Sequence, residues 1–362
     1  MNSSVYDVLL SYLSSVTSCL PLTGYFGQHT LEVNSTSYRI IGNLGEGAFS
    51  TVYLCEHPDS GARVAVKKMY CFSSEALASA RREISAYRTF SGIQGVVRLL
   101  DCSIDQISDR WVVYMCFPVF KLGSLADSGW REQDGGGSEE WVVGVFRRLC
   151  HCIAALHRFE GALMVDDNGS AGEERPAGAR NGYAPVQNTA TDDDGDRQQG
   201  VGSGAGYAHR DIKPANIMLA DDGQTPILID MGSVSCARYT AKDRLEALRI
   251  QEDAAENCTM AYRAPELFDV QRSAVFDQRT DVWSLGCLLF ALAYGYSPFE
   301  DPLEGPGASI ALAAINARYR FPEPNPYSGK MVRLIEYMLE PDPRQRPFVD
   351  QVISLIESLY GK

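Results

Sequence analysis

Positive charge is scarce in this chain. Across 362 residues, 33 Lys and Arg face 46 Asp and Glu, leaving a formal net charge of −13 at pH 7. That balance argues against a nucleic-acid partner, whose phosphates need clustered Lys and Arg. No Lys or Arg precedes Arg39, so the basic flank of a secretory signal peptide is missing and no such leader is expected. Residue 2 is Asn, which excludes N-myristoylation of a glycine there. No apolar run approaches the ~18 residues that a membrane-spanning helix needs. The longest, residues 285–292, is interrupted by Gly286 and reads as a core helix. The ten cysteines contain no C-x-x-C pair; Cys150 and Cys152 come nearest. Zinc is therefore not expected, and free thiols in a reducing compartment are.

Hydrophobic residues make up 45% of the chain, enough for one large domain or two lobes with a sizeable core. The chemistry is concentrated in Tyr207-Ala208-His209-Arg210-Asp211-Ile212-Lys213-Pro214-Ala215-Asn216. A carboxylate, an ammonium and an amide on one tight loop suit phosphoryl transfer. The carboxylate can accept a proton from an attacking hydroxyl, the ammonium can offset phosphoryl charge, and the amide oxygen can hold a metal ion. The stretch carries the pattern H-R-D-x-x-x-x-N in full, and Asp230-Met231-Gly232 follows it. From these motifs the chain resembles the eukaryotic protein kinase superfamily.

The resemblance implies an α+β, bilobal kinase fold. A small five-stranded N-lobe with one main helix would precede a larger, mostly helical C-lobe. Residues 1–37 would form an extension, 38–120 the N-lobe and hinge, and 121–362 the C-lobe. Residues 38–44, 51–55, 63–69, 96–100 and 111–117 read as the strands, from alternation or β-branched content. Leu44-Gly45-Glu46-Gly47-Ala48-Phe49-Ser50, with Val52, resembles the glycine-rich loop, with Ser50 where the third glycine usually stands. Gly45 and Gly47 would let backbone amides approach phosphate. Val64-Ala65-Val66-Lys67 follows at the family's distance, and a lysine ending an apolar strand needs an anion. The match implies the ATP α- and β-phosphates and a helix glutamate for Lys67. Residues 75–90 read as that helix, capped by Ser74. Glu83 is the better match to the glutamate; Glu75, its competitor, lies at the helix start, where acids serve the dipole. Phe117-Pro118-Val119-Phe120 aligns with the hinge: Phe117 behind the adenine pocket, Pro118 offering its carbonyl, Phe120 the next backbone groups.

In the C-lobe, Ser138 reads as an N-cap before a helix whose apolar face is Val142, Val145, Phe146, Leu149, Ile153 and Leu156. By resemblance, Asp211 is the base and Lys213 steadies the γ-phosphoryl, while Asn216 and Asp230 hold Mg²⁺, with Mn²⁺ as an alternative. Thr259 would help fix Asp211 and Lys213, Asp281 would hold the catalytic-loop backbone, and Arg346 would pair with Glu266. Lys213 in Asp-Ile-Lys-Pro matches the serine/threonine pattern. ATP and a protein are thus the expected substrates, with autophosphorylation at Ser233, Ser235, Tyr239 or Thr240. Arg210 could in principle bind a phosphoresidue. A helical segment over residues 240–257 would be ordered by packing and need no phosphate, so activation-segment phosphorylation is expected to control activity only weakly.

Residues 240–257 read as a helix in the activation segment, with Leu245, Leu248 and Ile250 as its contacts. Together with Ala208 and the D-M-G-S run, this resembles the Numb-associated kinase family and its lipid-anchored, Golgi- and vesicle-associated branch. A cytoplasmic protein, peripheral on Golgi or endosomal membranes, is what that implies. Val5, Val8, Leu9, Tyr12, Leu13 and Val16 have helical spacing. Helix 5–16 is expected either to dock on the kinase body or, with Cys19 acylated, to touch a membrane. Residues 160–205 hold nine acids against three arginines and no sustained apolar period. They are expected to be a disordered insertion or an acidic docking segment.

Overall fold

The computed structural model describes residues 30–47, 49–127, 137–163, 206–300 and 309–361. Helix 5–16, Cys19, Ala48 and nearly all of the acidic insertion lie outside them.

The small lobe comprises strands β1 (Thr30–Val33), β2 (Thr36–Glu46), β3 (Ser50–Glu56) and β4 (Arg63–Cys71), helix α1 (Ser74–Thr89), and strands β5 (Asp101–Ile107) and β6 (Arg110–Pro118). The antiparallel sheet runs β1-β2-β3-β4-β6-β5. Alternation sends side chains to opposite faces. Val64, Val66, Val112, Tyr114 and Cys116 fill a satellite core with Leu31 and Val33, while Val113 and Met115 face the main one. The bilobal α+β architecture is as expected, with two differences. The sheet has six strands, because 30–33 pairs with 36–39. Asn34, in the turn between them, donates to Asp101 Oδ1 at 2.7 Å, so the two edge strands meet. The run 96–100 is not a sheet strand. Val97 N–H donates to the Leu228 carbonyl and Leu228 N–H to that of Gly95, so this run reaches the large lobe. The edge strand comes after it, at Asp101–Ile107. Helix α1 is capped by Ser73 rather than Ser74, its side chain accepting from the Ala76 N–H.

The large lobe contains helix α2 (Glu139–His157), strands β7 (Tyr207–Ala208), β8 (Ile217–Leu219), β9 (Pro226–Leu228), β10 (Ser235–Cys236) and β11 (Tyr239–Thr240), helix α3 (Arg244–Asn257), strand β12 (Val275–Phe276), and helices α4 (Arg279–Tyr294), α5 (Ile310–Ile315), α6 (Gly329–Met338) and α7 (Val349–Tyr360). Ser138 caps α2 as expected, and the six apolar residues of its predicted face are buried. Every α4 residue from Thr280 to Ala293 is buried, which is why its sequence from Leu285 onward is apolar all round. Gly286 permits this packing, since a Cβ there would lie 2.8 Å from Leu339 Cδ2. Helix α3 turns Ala247, Ile250 and Ala254 inward. Leu245 and Leu248 lie on its other side and are exposed, so only Ile250 of the three expected contacts is one.

Candidate active site

Lys67 sits in β4 opposite Val52 on one side and Met115 on the other. Ala65 pairs with Phe117, so Val52, Ala65, Lys67 and Phe117 share one face of the sheet. Lys67 Nζ lies 2.7 Å from Glu83 Oε1. Tyr87, one turn further along α1, donates its hydroxyl to the same oxygen at 3.3 Å and accepts from the Met231 N–H. Phe117 packs on the Tyr87 ring, 4.9 Å between centroids. Glu75 remains exposed at the helix start, where first-turn hydrogen bonding to its own backbone N–H lowers its pKa. Of the two candidate glutamates, Glu83 is the one brought to Lys67. Burial pushes the Glu83 carboxyl up, against the pull of Lys67. Burial also works against the Lys67 ammonium, but Glu83 and Asp230 outweigh it and raise its pKa.

The catalytic loop is held from below by Asp281 on α4, wholly buried. It accepts from the backbone N–H groups of His209 at 2.7 Å and Arg210 at 2.8 Å, and lies 2.9 Å from His157 Nε2. These bonds hold Arg210 at φ +73°, a left-handed geometry that a non-glycine residue keeps only when its surroundings enforce it. Asp211 follows. Its Oδ1 accepts from the Thr259 backbone N–H at 2.9 Å and hydroxyl at 2.7 Å. Its Oδ2 meets Lys213 Nζ at 2.8 Å and Asn216 Nδ2 at 3.0 Å. Lys213 also donates to the Thr259 hydroxyl at 2.7 Å. Burial would raise the Asp211 pKa, but the bonds from Lys213 and Thr259 outweigh it and hold the carboxyl below its ordinary value. It is therefore ionised at neutral pH and can accept a proton.

The β8–β9 ribbon pairs Ile217 with Leu228, which brings Asn216, just before β8, beside the segment after β9. Ile229 N–H donates to the Asn216 carbonyl at 2.9 Å, and Asp230 follows at φ +62°. A Cβ on Gly232 would lie 3.2 Å from Asp230 Oδ1 and 3.7 Å from Glu83 Oε2, so Asp230 adjoins the Lys67–Glu83 pair. Asn216 uses its amide N–H₂ on Asp211 and keeps its amide oxygen for another partner. One carboxylate and one amide oxygen form a hard, oxygen-only donor pair that suits Mg²⁺ completed by phosphate oxygens.

In the glycine-rich hairpin, Gly45 N–H donates to Asn43 Oδ1 at 3.0 Å and Gly47 N–H to the Ser50 carbonyl at 2.7 Å. The two amides expected to approach phosphate are thus engaged within the hairpin. Asn43 also donates to Glu46. Leu44 and Phe49 are exposed. Phe120 and Pro118 are half-buried at the end of β6. A cavity of about 400 Å³ opens beside Lys213, lined by Leu125, Asp127, Pro214, Ala215, Tyr262 and Ala291 among others.

Two further relationships concern the segment after Asp230. Glu266 and Arg346 form a bidentate pair at 2.8 and 2.9 Å, which anchors the end of the segment. Arg210 is not free: its guanidinium bonds Asp253 on α3, and Ser235 Oγ at 3.3 Å. Asp253 had no signal in the sequence, because no motif links it to Arg210.

Comparison with known proteins agrees with this geometry. The protein kinase domain family matches residues 38–164 and 204–355. Serine/threonine-protein kinase 16 of Rattus norvegicus is 32% identical over 332 residues, 91% of this chain and 92% of that protein. Serine/threonine-protein kinase ENV7 of Saccharomyces cerevisiae is 32% identical over 92% of this chain and 95% of its own. Serine/threonine-protein kinase ppk13 of Schizosaccharomyces pombe is 30% identical over 97% and 96%. The chain therefore belongs to the protein kinase family, as a serine/threonine kinase.

Proposed function

We propose that this chain transfers the γ-phosphoryl group of ATP to Ser and Thr hydroxyls of protein substrates and of itself. The observation that carries this reading is the Asp211–Lys213–Thr259–Asn216 cluster. Asp211 orients the acceptor hydroxyl and takes its proton. Lys213, bonded to both Asp211 and Thr259, offsets charge on the moving phosphoryl group. Lys67, held by Glu83, binds the α- and β-phosphates. Val52, Ala65 and Phe117 enclose the adenine, with Leu44 and the glycine-rich turn above and Pro118 and Phe120 along the hinge. Asn216 and Asp230 would hold Mg²⁺ or Mn²⁺, which would supply positive charge to offset that of the phosphates. The cavity beside Lys213 takes a side chain of the protein substrate. The rival reading is a scaffold that keeps the fold without the chemistry, yet Lys67, Asp211, Asn216 and Asp230 are all present. Radiolabelled ATP turnover on a generic protein substrate decides between them. Wild type should transfer phosphate with Mg²⁺ or Mn²⁺ and Asp211→Asn should not; equal, negligible transfer by both supports the scaffold.

The finer placement rests on the resemblance to the Numb-associated family and its myristoylated and palmitoylated Golgi kinase branch. We propose reversible association with Golgi or endosomal membranes through Cys19 and the apolar face of helix 5–16. A single acyl chain gives only marginal binding, so the apolar helix face is the second contact proposed. Among the described residues no helix is long and apolar enough to cross a membrane. Fractionation of wild type, Cys19→Ser and a Leu9→Asp, Leu13→Asp double variant tests it. A wholly soluble wild type, or binding unchanged in both variants, removes the anchor.

A further inference from the structure

The catalytic loop and the end of α3 are tied at two adjacent points. Arg210 bonds Asp253 through its guanidinium, and Asp211 bonds Thr259 through its carboxylate. Arg210 is only 8% exposed, so its charge needs a partner inside the protein. Asp253 is itself oriented: Asn257 Nδ2 donates to its Oδ1 at 2.9 Å and to its carbonyl at 3.1 Å. Asn257 ends α3, the Cys258 N–H closes the helix on the Ala254 carbonyl, and Thr259 comes next. Arg263 then donates to the Cys258 carbonyl at 2.8 Å. The position of Thr259 is therefore set by where α3 ends, and that end is fastened to Arg210.

Activation segments elsewhere are commonly ordered by a phosphate placed against arginine. Here the arginine already holds a carboxylate from the segment itself. Other hydroxyls of the segment are also engaged. Ser233 donates to the His209 carbonyl at 2.6 Å. Ser235 accepts from Arg210. Tyr239 is buried and stacked on Phe276 at 4.8 Å.

Resting on the kinase reading above, we propose that Asp253 is a positioning residue. Its carboxylate neutralises the buried Arg210 and, through the end of α3, holds Thr259 against Asp211. The effect falls on proton acceptance and phosphoryl alignment. It spares nucleotide binding, whose lysine, Lys67, is held by Glu83 on α1 of the small lobe.

The test uses the full chain: kcat and KM for ATP are measured for wild type, phosphatase-treated wild type, Asp253→Asn and Asp253→Glu. Hydrogen exchange is followed over residues 253–262. Treated wild type, shown by mass spectrometry to carry no phosphate over residues 233–259, should keep kcat within about twofold. Asp253→Asn should lower kcat at least about tenfold with KM for ATP within about twofold, and should speed exchange over 253–262. Asp253→Glu should restore much of the kcat. Loss of kcat on phosphatase treatment overturns the proposal. So does an Asp253→Asn variant with unchanged kcat, or one whose KM for ATP rises as much as kcat falls. Should Asp253→Asn fail to fold, the phosphatase arm and Asp253→Glu still decide. A wild type with no turnover removes the kinase reading and this inference together, whereas the variant results bear on the inference alone.

Discussion

Lys67 Nζ and Glu83 Oε1 lie 2.7 Å apart, with the Glu83 side chain 5% exposed. Breaking such a buried pair leaves one charge uncompensated. Glu83→Gln keeps the shape of the site and frees Lys67 from its anchor. Steady-state kinetics should show kcat/KM reduced about 100-fold, or ~2.7 kcal/mol of transition-state stabilisation. Activity within threefold of wild type would mean that Lys67 is positioned without Glu83.

Thr259 places two donors on Asp211 Oδ1 and accepts from Lys213. Thr259→Val removes the hydroxyl and keeps the backbone N–H. We expect kcat to fall about tenfold, the loss of one charge-assisted bond of ~1.5 kcal/mol. Thr259→Ser should stay near wild type. Equal rates for Val and Ser would remove the hydroxyl from the alignment of the site.

Asp281 is buried, and burial alone would raise its pKa. Its bond to His157, its electrostatic interaction with His157 and His209 and the Arg210 backbone N–H outweigh that and lower it. A carboxyl with a depressed folded pKa is ionised more readily in the folded than in the unfolded chain. Its stabilisation is complete above the ordinary carboxylate pKa and is lost as pH falls through the folded value. Asp281→Asn should therefore cost about 3 kcal/mol at pH 7. Denaturant titrations should show the gap to wild type constant above about pH 5 and shrinking below about pH 4. A gap that grows in acid would contradict the assignment.

Helix α2 ends at His157, and Gly206 returns directly against it: a Cβ there would sit 1.7 Å from the His157 carbonyl oxygen. The Tyr207 hydroxyl donates to the Gly161 carbonyl at 3.0 Å. The chain thus leaves and re-enters at one place, and the family match omits 165–203. Replacing those residues with a short Gly-Ser linker should leave kcat/KM within a few-fold, since closure entropy changes slowly with loop length. A loss of about 100-fold would show that the insertion supports the catalytic loop.

The sequence by itself determined the elements and residues whose meaning is local. Asp211, Lys213 and Asn216 lie within one tight loop, so their spacing alone brings them together. The apolar period of α2 and the continuous apolar run of α4 announced buried helices, because a half-buried helix repeats its face along the chain and a wholly buried one is apolar on every face. Only the tertiary structure decided which partner each charge meets. Glu75 and Glu83 stand on one helix, and the packing of α1 on the sheet brought the second to Lys67. The run 96–100 looked like a strand, but its backbone was claimed by β9 of the other lobe. Arg210 read as able in principle to bind a phosphoresidue, with no other partner in view, yet α3 delivered Asp253 to it from far along the chain. Spacing encodes geometry over a few residues, whereas a buried charge takes the partner that packing places beside it.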